Sequence, residues 1–433
     1  MFKHKNSVVA KRSFLFAGPV IKINCNISGV CYNYILIYYY SFNSKRLEMR
    51  IAFFSWETVH SVFVGGISSH VTELACALER KGHEVHVFTR MARFNHPRYE
   101  RIHGVHYHRC PFVGNSDFIE EIANMCRSFV DTFLETEDYI GPFDVIHGHD
   151  WLTALALEWI NKARQHKTIF TIHSTEYGRC GNNFFGGNSE RVRHLEWLGT
   201  YCSDHVITVS AALKDEAAWM YSIPESKTNV VYNGVCCSDF DHWVDPGHVR
   251  RQYGIGPMDP MVLIAGRMVY QKGQDLLVSA VPYILNYYPN AKFVFAGDGE
   301  MRAEVEHQAR NMGVSHATRF VGKQNSWALR DLFKATDCVC VPSRNEPFGI
   351  VILEAWSAGK PVVATINGGP NEIIWHDVNG LKVQDNPQSI AWGIGTTFQD
   401  FDHARWMGNN GRMTAETAFS WDVIADETLA VYN

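Results

Sequence analysis

Two carboxylates flank a glycine in the run Pro342-Ser343-Arg344-Asn345-Glu346-Pro347-Phe348-Gly349-Ile350-Val351-Ile352-Leu353-Glu354-Ala355. An apolar strand ends there, a proline-bounded loop follows, and Gly349 opens a helix. The free N–H groups and the dipole of a helix start favour a phosphate. Gly349 lets a ligand approach the backbone closely. Glu354, about one and a half turns further on, can accept hydrogen bonds from a ribose diol. Glu346, in the loop, can grip a sugar hydroxyl. Either acid alone reads as a helix cap or a surface charge, but that reading explains the pair around Pro-Phe-Gly poorly.

A second segment, Gly266-Arg267-Met268-Val269-Tyr270-Gln271-Lys272-Gly273, follows the apolar run 261–265. Two cations at a strand's carboxyl end can neutralise a diphosphate. The charge that builds up on a departing nucleoside diphosphate makes fixed cations catalytic there. Gly65-Gly66 opens the first helix, where a phosphate or sugar can come close to the backbone. Ile146-His147-Gly148-His149-Asp150-Trp151 and Thr171-Ile172-His173-Ser174 put His149 and His173 at two strand ends, able to bond a substrate hydroxyl. Trp151 after Asp150 breaks the HxHxDH spacing of a dinuclear metal site. Phe295-Ala296-Gly297-Asp298-Gly299-Glu300 is a further strand-to-helix junction able to face a nucleotide. It is not GxGxxG, and no GxxxxGK[ST] occurs, which counts against a nicotinamide enzyme and a P-loop ATPase. His103, His106 and His108 have the irregular spacing of a surface edge rather than a metal site. Asp239/Asp241 and Asp400/Asp402 follow no apolar strand and read as solvated loop acids.

These residues need a scaffold of strand ends, and the 433 residues supply one. From residue 49 onward, apolar runs at 50–56, 84–89, 105–109, 144–148, 168–173, 205–210 and 229–232 alternate with helix-period segments. In the first helix, Ile67, Val71, Leu74, Ala75 and Leu78 form one face. Residues 236–260 are rich in Asp, Gly and Pro and suit a linker. Alternation resumes with strands at 261–265, 292–296, 318–321, 337–342, 361–364 and 380–383 and helices at 274–287, 300–312, 326–335, 349–358 and 387–398. This pattern predicts an α/β chain of two doubly wound parallel-sheet domains with the site in the cleft between them.

Composition sets further bounds. With 46% hydrophobic and 20% charged residues, a large core is within reach and global disorder is excluded. A net charge of −5 argues against a protein that coats nucleic acid. Eleven cysteines without a CxxC pair give no zinc ribbon or thioredoxin-type site. Their scatter fits reduced thiols in a cytoplasmic protein, with Cys338 and Cys340 buried in a strand. Residues 1–48 read as an appendage. Lys3, Lys5, Lys11 and Arg12 precede an apolar run from Phe14 to Ile21, and a second run spans Tyr34 to Tyr40. The second is too short to cross a bilayer, which takes about 20 residues.

Assembled, these motifs make the chain resemble a glycosyltransferase of family 4, with the two-domain GT-B fold, over about 49–433. Glu346…Glu354 resembles the family's E-x7-E motif, and GRMVYQKG its G-R-x-x-x-x-K-G segment. Gly65-Gly66 resembles its N-terminal glycine loop, while HGHDW and the THS strand end resemble the glycogen and starch synthase branch. The resemblance implies a Rossmann-like acceptor domain (49–235), the linker (236–260) and a Rossmann-like donor domain (261–415). A terminal helix (416–433) would then cross back to the first domain. It implies retaining transfer of a sugar, glucose first, from a UDP-, ADP- or GDP-sugar to a glucan or other hydroxyl acceptor, with no metal or other cofactor. Glu346, His149, Arg267 and Lys272 would be catalytic. Gly65, Gly66, His173, Gly297, Asp298, Phe348, Gly349, Ile350 and Glu354 would bind the donor. The competing readings are a nucleotide-sugar epimerase of the same fold, a transferase with a lipid or small-molecule acceptor, and a binding protein without turnover. A membrane-facing acceptor site calls for a Lys/Arg-rich amphipathic helix, and residues 67–81 carry only Arg80 and Lys81, at their end.

Overall fold

The protein is described from a computed structural model, which places residues 21–27, 30–36, 48–93 and 95–433. The chain divides into two units, Met1–Glu48 and Met49–Asn433. In the first, Ile21–Ile27 and Val30–Leu36 pair as an antiparallel hairpin. The expected run Phe14–Ile21 lies outside the described residues except at its last position. Among the described residues, no helix is long and apolar enough to cross a membrane.

The larger unit holds two parallel sheets. Strands of the first are β1 (Arg50–Ser55), β2 (Glu84–Arg90), β3 (Tyr99–Ile102), β4 (Val105–Cys110), β5 (Val145–His149), β6 (Lys167–Ile172), β7 (His205–Thr208) and β8 (Thr228–Val230). Their order is β8-β7-β6-β5-β1-β2-β4-β3, and only β3 runs antiparallel to its neighbour. The second sheet has β9 (Met261–Ala265), β10 (Lys292–Ala296), β11 (Thr318–Gly322), β12 (Cys338–Val341), β13 (Val362–Thr365) and β14 (Leu381–Val383). It is wholly parallel, in the order β11-β10-β9-β12-β13-β14. In each sheet the first strand is central and the chain winds outward on both sides. The crevice between β1 and β5, and that between β9 and β12, is therefore a switch point at which ligands gather.

Strands covered on both faces must be apolar throughout, which is why Ile51–Phe54 and Cys338–Val341 are buried without alternation. Cys338 and Cys340 are buried there, as expected. In this larger unit the strand absent from the expected set is β3, whose sequence Tyr-Glu-Arg-Ile is mostly exposed. It is an antiparallel edge strand held by β4, and it carries no apolar run of its own. It also alters the histidine reading. His103 is exposed, His106 half-buried, but His108 is buried, stacked on Phe88 and 2.9 Å from His86.

Five helices bear on the site: α1 (Gly66–Arg80), α2 (Asn188–Cys202), α3 (Ala211–Tyr221), α4 (Ile350–Ser357) and α5 (Trp421–Tyr432). Helix α1 buries Val71, Leu74, Ala75 and Leu78 on the expected face. Within 236–260 a helix, Pro246–Gln252, is capped by Asp245, and its Arg250 donates to the Ala335 carbonyl and pairs with Asp337 at 2.8 Å. The loop acids are structural rather than simply solvated. Asp239 pairs with Arg330 and Asp241 with Arg412, and Asp400 caps the helix Phe401–Ala418.

Helix α5 packs its Trp421, Ile424, Ala425 and Leu429 into the core that also holds Val71 and Leu74 of α1. Arg80–Asp422 and Lys81–Asp426 pairs flank it. Deep in this contact the Tyr432 hydroxyl lies 2.6 Å from His147 Nδ1, and Thr171 Oγ1 lies 2.7 Å from His147 Nε2. Removing one partner of a buried pair leaves the other unsatisfied, at about 1–3 kcal/mol. Tyr432→Phe is therefore expected to destabilise by about 1–3 kcal/mol. Urea titration should show a lower midpoint at unchanged slope.

Candidate active site

The glycine loop is fixed from below by a buried acid. Glu57 Oε2 accepts the N–H groups of Val64 and Gly65, each at 2.8 Å, and the Ser68 hydroxyl. An internal carboxylate thus occupies two loop amides just ahead of α1. Gly66 faces the other lobe: a Cβ there would come within 2.8 Å of Ile350 Cδ1. The N-termini of α1 and α4 therefore meet across the cleft.

On the second lobe, Gly349 takes a left-handed conformation (φ 100°) to start α4, with no side chain capping the helix. Such a turn disfavours residues with a Cβ, and it leaves the first amides of α4 without a capping side chain. The preceding loop brings Glu346 to Lys272, with Nζ 2.9 and 2.8 Å from the two carboxylate oxygens. Ser343 donates to the same carboxylate at 2.8 Å. Glu346 is only 6% exposed, so these partners carry the cost of keeping it charged. Gly368 closes over the loop, where a Cβ would lie 2.3 Å from the Glu346 carbonyl oxygen. Arg267 is exposed at the mouth, its carbonyl held by Gln274 at 2.8 Å. Gly297 lies under the Gly266 carbonyl, and Asp298 is exposed, paired with Arg302 at 3.5 Å. Phe348 turns inward: its ring is buried beside Tyr232 and Phe419, so only its backbone faces the cleft.

Glu354 differs from Glu346. Burial pushes its carboxyl up to about 7, opposed only by the field of Arg330. Near neutrality it is therefore close to evenly divided between its neutral and charged forms.

The histidines cluster at the switch point. His149 Nδ1 is 3.3 Å from His173 Nε2, and ligand atoms of His70, His149 and His173 lie within 4.8 Å of one another. Burial holds His70, His147 and His149 well below the ordinary imidazole value, and His173 at about 3. All four rings are thus neutral at pH 7. His70 reaches Asn233 Oδ1 at 2.8 Å, whereas the buried Nε2 atoms of His70 and His149 have no hydrogen-bond partner. Three neutral imidazoles so close can also ligate a divalent ion. Among the described residues a second such group, Glu84 with His86 and His106, has Arg50 3.0 Å from Glu84, a cation set against an ion.

Several further residues shape the site without carrying a local motif of their own. Asp150 has φ 60°, rare for a residue with a Cβ, and its carboxylate accepts the His173 N–H at 2.8 Å. Burial raises it to about 6 against the pull of Arg179. It orients the His173 strand end. Asn345 donates to Asn182 at 2.9 Å and Glu216 at 3.2 Å, joining the lobes. Glu372 reaches across to take the Ala211 and Ala212 N–H groups at the start of α3. Only Asp150 and Asn345 sit in the runs singled out above; Glu57, Asn182, Glu216 and Glu372 belong to no spacing pattern. A cavity of about 260 Å³ lies between the lobes, with Glu346 and Asn345 on one wall and Asn182 and Glu216 on the other.

Two family models match this chain, and between them they span both lobes. Residues 64–239 match "Glycosyltransferase Family 4", and residues 248–414 match "Glycosyl transferases group 1". The chain is a family 4 glycosyltransferase. It is 39% identical to an uncharacterized glycosyltransferase of Methanocaldococcus jannaschii over 89% of this chain and 98% of that one. It is 30% identical to the glycogen synthase of Mycobacterium tuberculosis, over 89% and 94%. Among solved structures, the sucrose-phosphate synthase of Thermosynechococcus elongatus superposes with a TM-score of 0.74 at 23% identity, over 89% of this chain and 98% of that one. The fold is GT-B, and the chain is glycogen synthase-like.

The Glu354 geometry makes a test independent of substrate. A carboxyl raised from 4.5 to about 7 on folding keeps its proton in the folded state while the unfolded chain ionises. Its contribution to stability is full below pH 4.5 and lost as pH rises through 7. Glu354→Gln is expected to remove that loss and gain up to about 3 kcal/mol at pH 8 relative to pH 4. Denaturant titrations of both proteins at the two pH values check it.

Proposed function

We propose that the enzyme is a retaining hexosyltransferase that moves glucose from a nucleoside-diphosphate glucose to a glucan, in the cytoplasm and without a bound metal. The observation that carries this reading is the Lys272–Glu346 pair at a cavity between the lobes, beside the uncapped start of α4. Lys272 has three N–H groups, and Glu346 accepts from it through both oxygens. A diphosphate entering here meets Lys272, Arg267 and the first amides of α4, while Glu346 accepts a donor-sugar hydroxyl. The Gly65-Gly66 loop and His149 close the donor from the other lobe, with His173 beside it. Gly297 and Asp298 border the base, and Glu354 takes the ribose. The relation to a glycogen synthase supports a glucan acceptor. Nine described cysteines, all unpaired, fit a reducing compartment.

The acceptor hydroxyl attacks C1 of the donor on the face from which the phosphate departs. Its oxygen bonds to C1 as the C1–O bond to the phosphate breaks, and its proton passes to a phosphate oxygen. Negative charge on the leaving nucleoside diphosphate then grows against Arg267, Lys272 and the α4 dipole, which is where preorganised charge lowers the barrier.

Lys272→Ala and Glu346→Ala are each expected to cut transfer by at least about 10²–10³ while circular dichroism stays unchanged. Full activity in either would sink the site assignment. The protein should be incubated with UDP-glucose, ADP-glucose and GDP-mannose, with and without glycogen, and nucleoside diphosphate release followed. Glycogen-dependent release from one glucose donor supports the reading. Release that glycogen does not stimulate rejects the polymer acceptor, and a new sugar stereoisomer without an acceptor points to an epimerase.

Ribose binding also predicts a pH profile. Hydroxyls donate best to ionised Glu354, and its free-state value is about 7. The donor KM is expected to rise toward tenfold per pH unit below 7, and Glu354→Gln to flatten that rise. A wild-type KM independent of pH from 6 to 8 would reject the ribose role.

A further inference from the structure

A second cavity, of about 520 Å³, opens on the surface of the first lobe, with Phe184, Trp197 and Trp219 in its walls and Glu190, Arg193 and His194 among them. Its rings are unusually wet: Trp219 is 62% exposed, Phe184 57% and Trp197 39%. They are also ordered against one another. Tyr177, Phe184 and Trp219 form one cluster, with centroids 4.9 to 5.9 Å apart. His194, Trp197 and Tyr201 stack at 5.5 and 5.1 Å along one side of α2. Contiguous exposed apolar surface of this kind marks a binding site.

Two elements connect this cavity to the cleft. Helix α3 lines the cleft with Ala212, Leu213 and Glu216 and the outer cavity with Trp219, Met220 and Tyr221. Glu216, Trp219 and Met220 share a helix face, and Glu216 to Met220 is about 6 Å of axis. The loop before α2 does the same, with Asn182 in the cleft and Phe184 outside. A chain leaving the cleft past Asn182 and Glu216 runs directly onto Phe184 and Trp219.

We propose that this surface is an extended acceptor subsite, binding sugar units of a glucan chain beyond those in the cleft. The inference rests on the glucan reading above. Pyranose rings have flat C–H faces that pack on aromatic rings and rims of hydroxyls that need polar partners. The cavity offers both, with Glu190, Arg193 and His194 in its lining, Arg193 over the Phe184 ring and His194 stacked on Trp197. An acyl chain would find those charged groups in its path, and an anionic headgroup would face Glu190.

The test uses the full chain with Trp219→Ala, Phe184→Ala and, as a fold control, Trp219→Phe. In native gels containing glycogen, the wild type and Trp219→Phe should be retarded, and each alanine variant should lose most of that retardation. Where transfer is measurable, the KM for glycogen should rise about 2–10-fold, the range of one aromatic contact, while the KM for maltose stays within twofold. Equal retardation of all four proteins would overturn the proposal, as would parallel KM changes for glycogen and maltose. Loss of flotation with phosphatidylglycerol vesicles at unchanged glycogen retardation would overturn it in favour of a membrane contact. Retardation needs no turnover. An enzyme that is retarded through Trp219 but does not use glycogen defeats the polymer acceptor and keeps the surface; one that elongates glycogen in all four forms alike does the reverse.

Discussion

A charged carboxylate in the wall of a cleft must be held by partners, and the shape of the second lobe's rim follows from that requirement. Glu346 is almost fully buried and is balanced by Lys272 and Ser343. Lys272 comes from the segment after β9, and Ser343 and Glu346 from the segment after β12, so the pair ties two adjacent strand ends together. The loop bearing Glu346 is then clasped on its far side. Its N–H donates to the Asn367 carbonyl at 3.0 Å and its carbonyl accepts from Gly369 at 2.9 Å. Gly368 and Gly369 pack so closely against this backbone that any Cβ would collide with it. Three strand ends therefore converge on one residue, two on its carboxylate and the third on its backbone. The start of α4, four residues on, inherits its position from that convergence.

The first lobe solves the opposite problem. At the switch point its strand ends carry clustered imidazoles, and desolvation keeps them neutral. Neutral rings can crowd: His147 and His149 stack at 4.3 Å and His149 and His173 at 5.5 Å. Charged rings at those distances would repel strongly in so dry a place.

The sheets were legible because parallel strands covered on both faces must be apolar end to end. The strands at 261–265 and 292–296 were located to the residue on that ground. Strand β3 was not, because an exposed antiparallel edge needs a neighbour and not a pattern. The same division runs through the site. Residues whose chemistry depends on position along one strand end, such as His149, Glu346 and Lys272, show in local motifs. Glu57 and Glu372 act through backbone amides brought close by the fold, Glu372 from 160 and 161 residues away. No local spacing encodes such a contact. Asp150 is an intermediate case. It stood in the HGHDW run, but its role depends on a left-handed backbone and a bond to the next strand, neither of which is written in its neighbours.

The contacts between the lobes explain how one chain can have both a rigid site and an accessible one. Across the cleft the hydrogen bonds are few, Asn345 to Asn182 and Glu216 and Glu372 to the first amides of α3, and the apolar contact of Gly66 with Ile350 is small. Such bonds are replaced by water at a net cost near 1 kcal/mol each. At the base of the cleft the chain crosses between lobes through apolar packing. Tyr232, Phe348 and Phe419 lie within 5.7 to 6.0 Å of one another there. Val235 pairs in parallel with Ser420 beside them. Separating that packing costs far more than exchanging a few hydrogen bonds. The cheapest relative motion therefore opens the mouth and pivots on Phe348 and its neighbours. Phe348 sits one residue before Gly349, so the pivot lies at the foot of α4. Rotation about it moves the Gly65-Gly66 loop and the α3 start away from α4 while Glu346 and Lys272 keep their pairing.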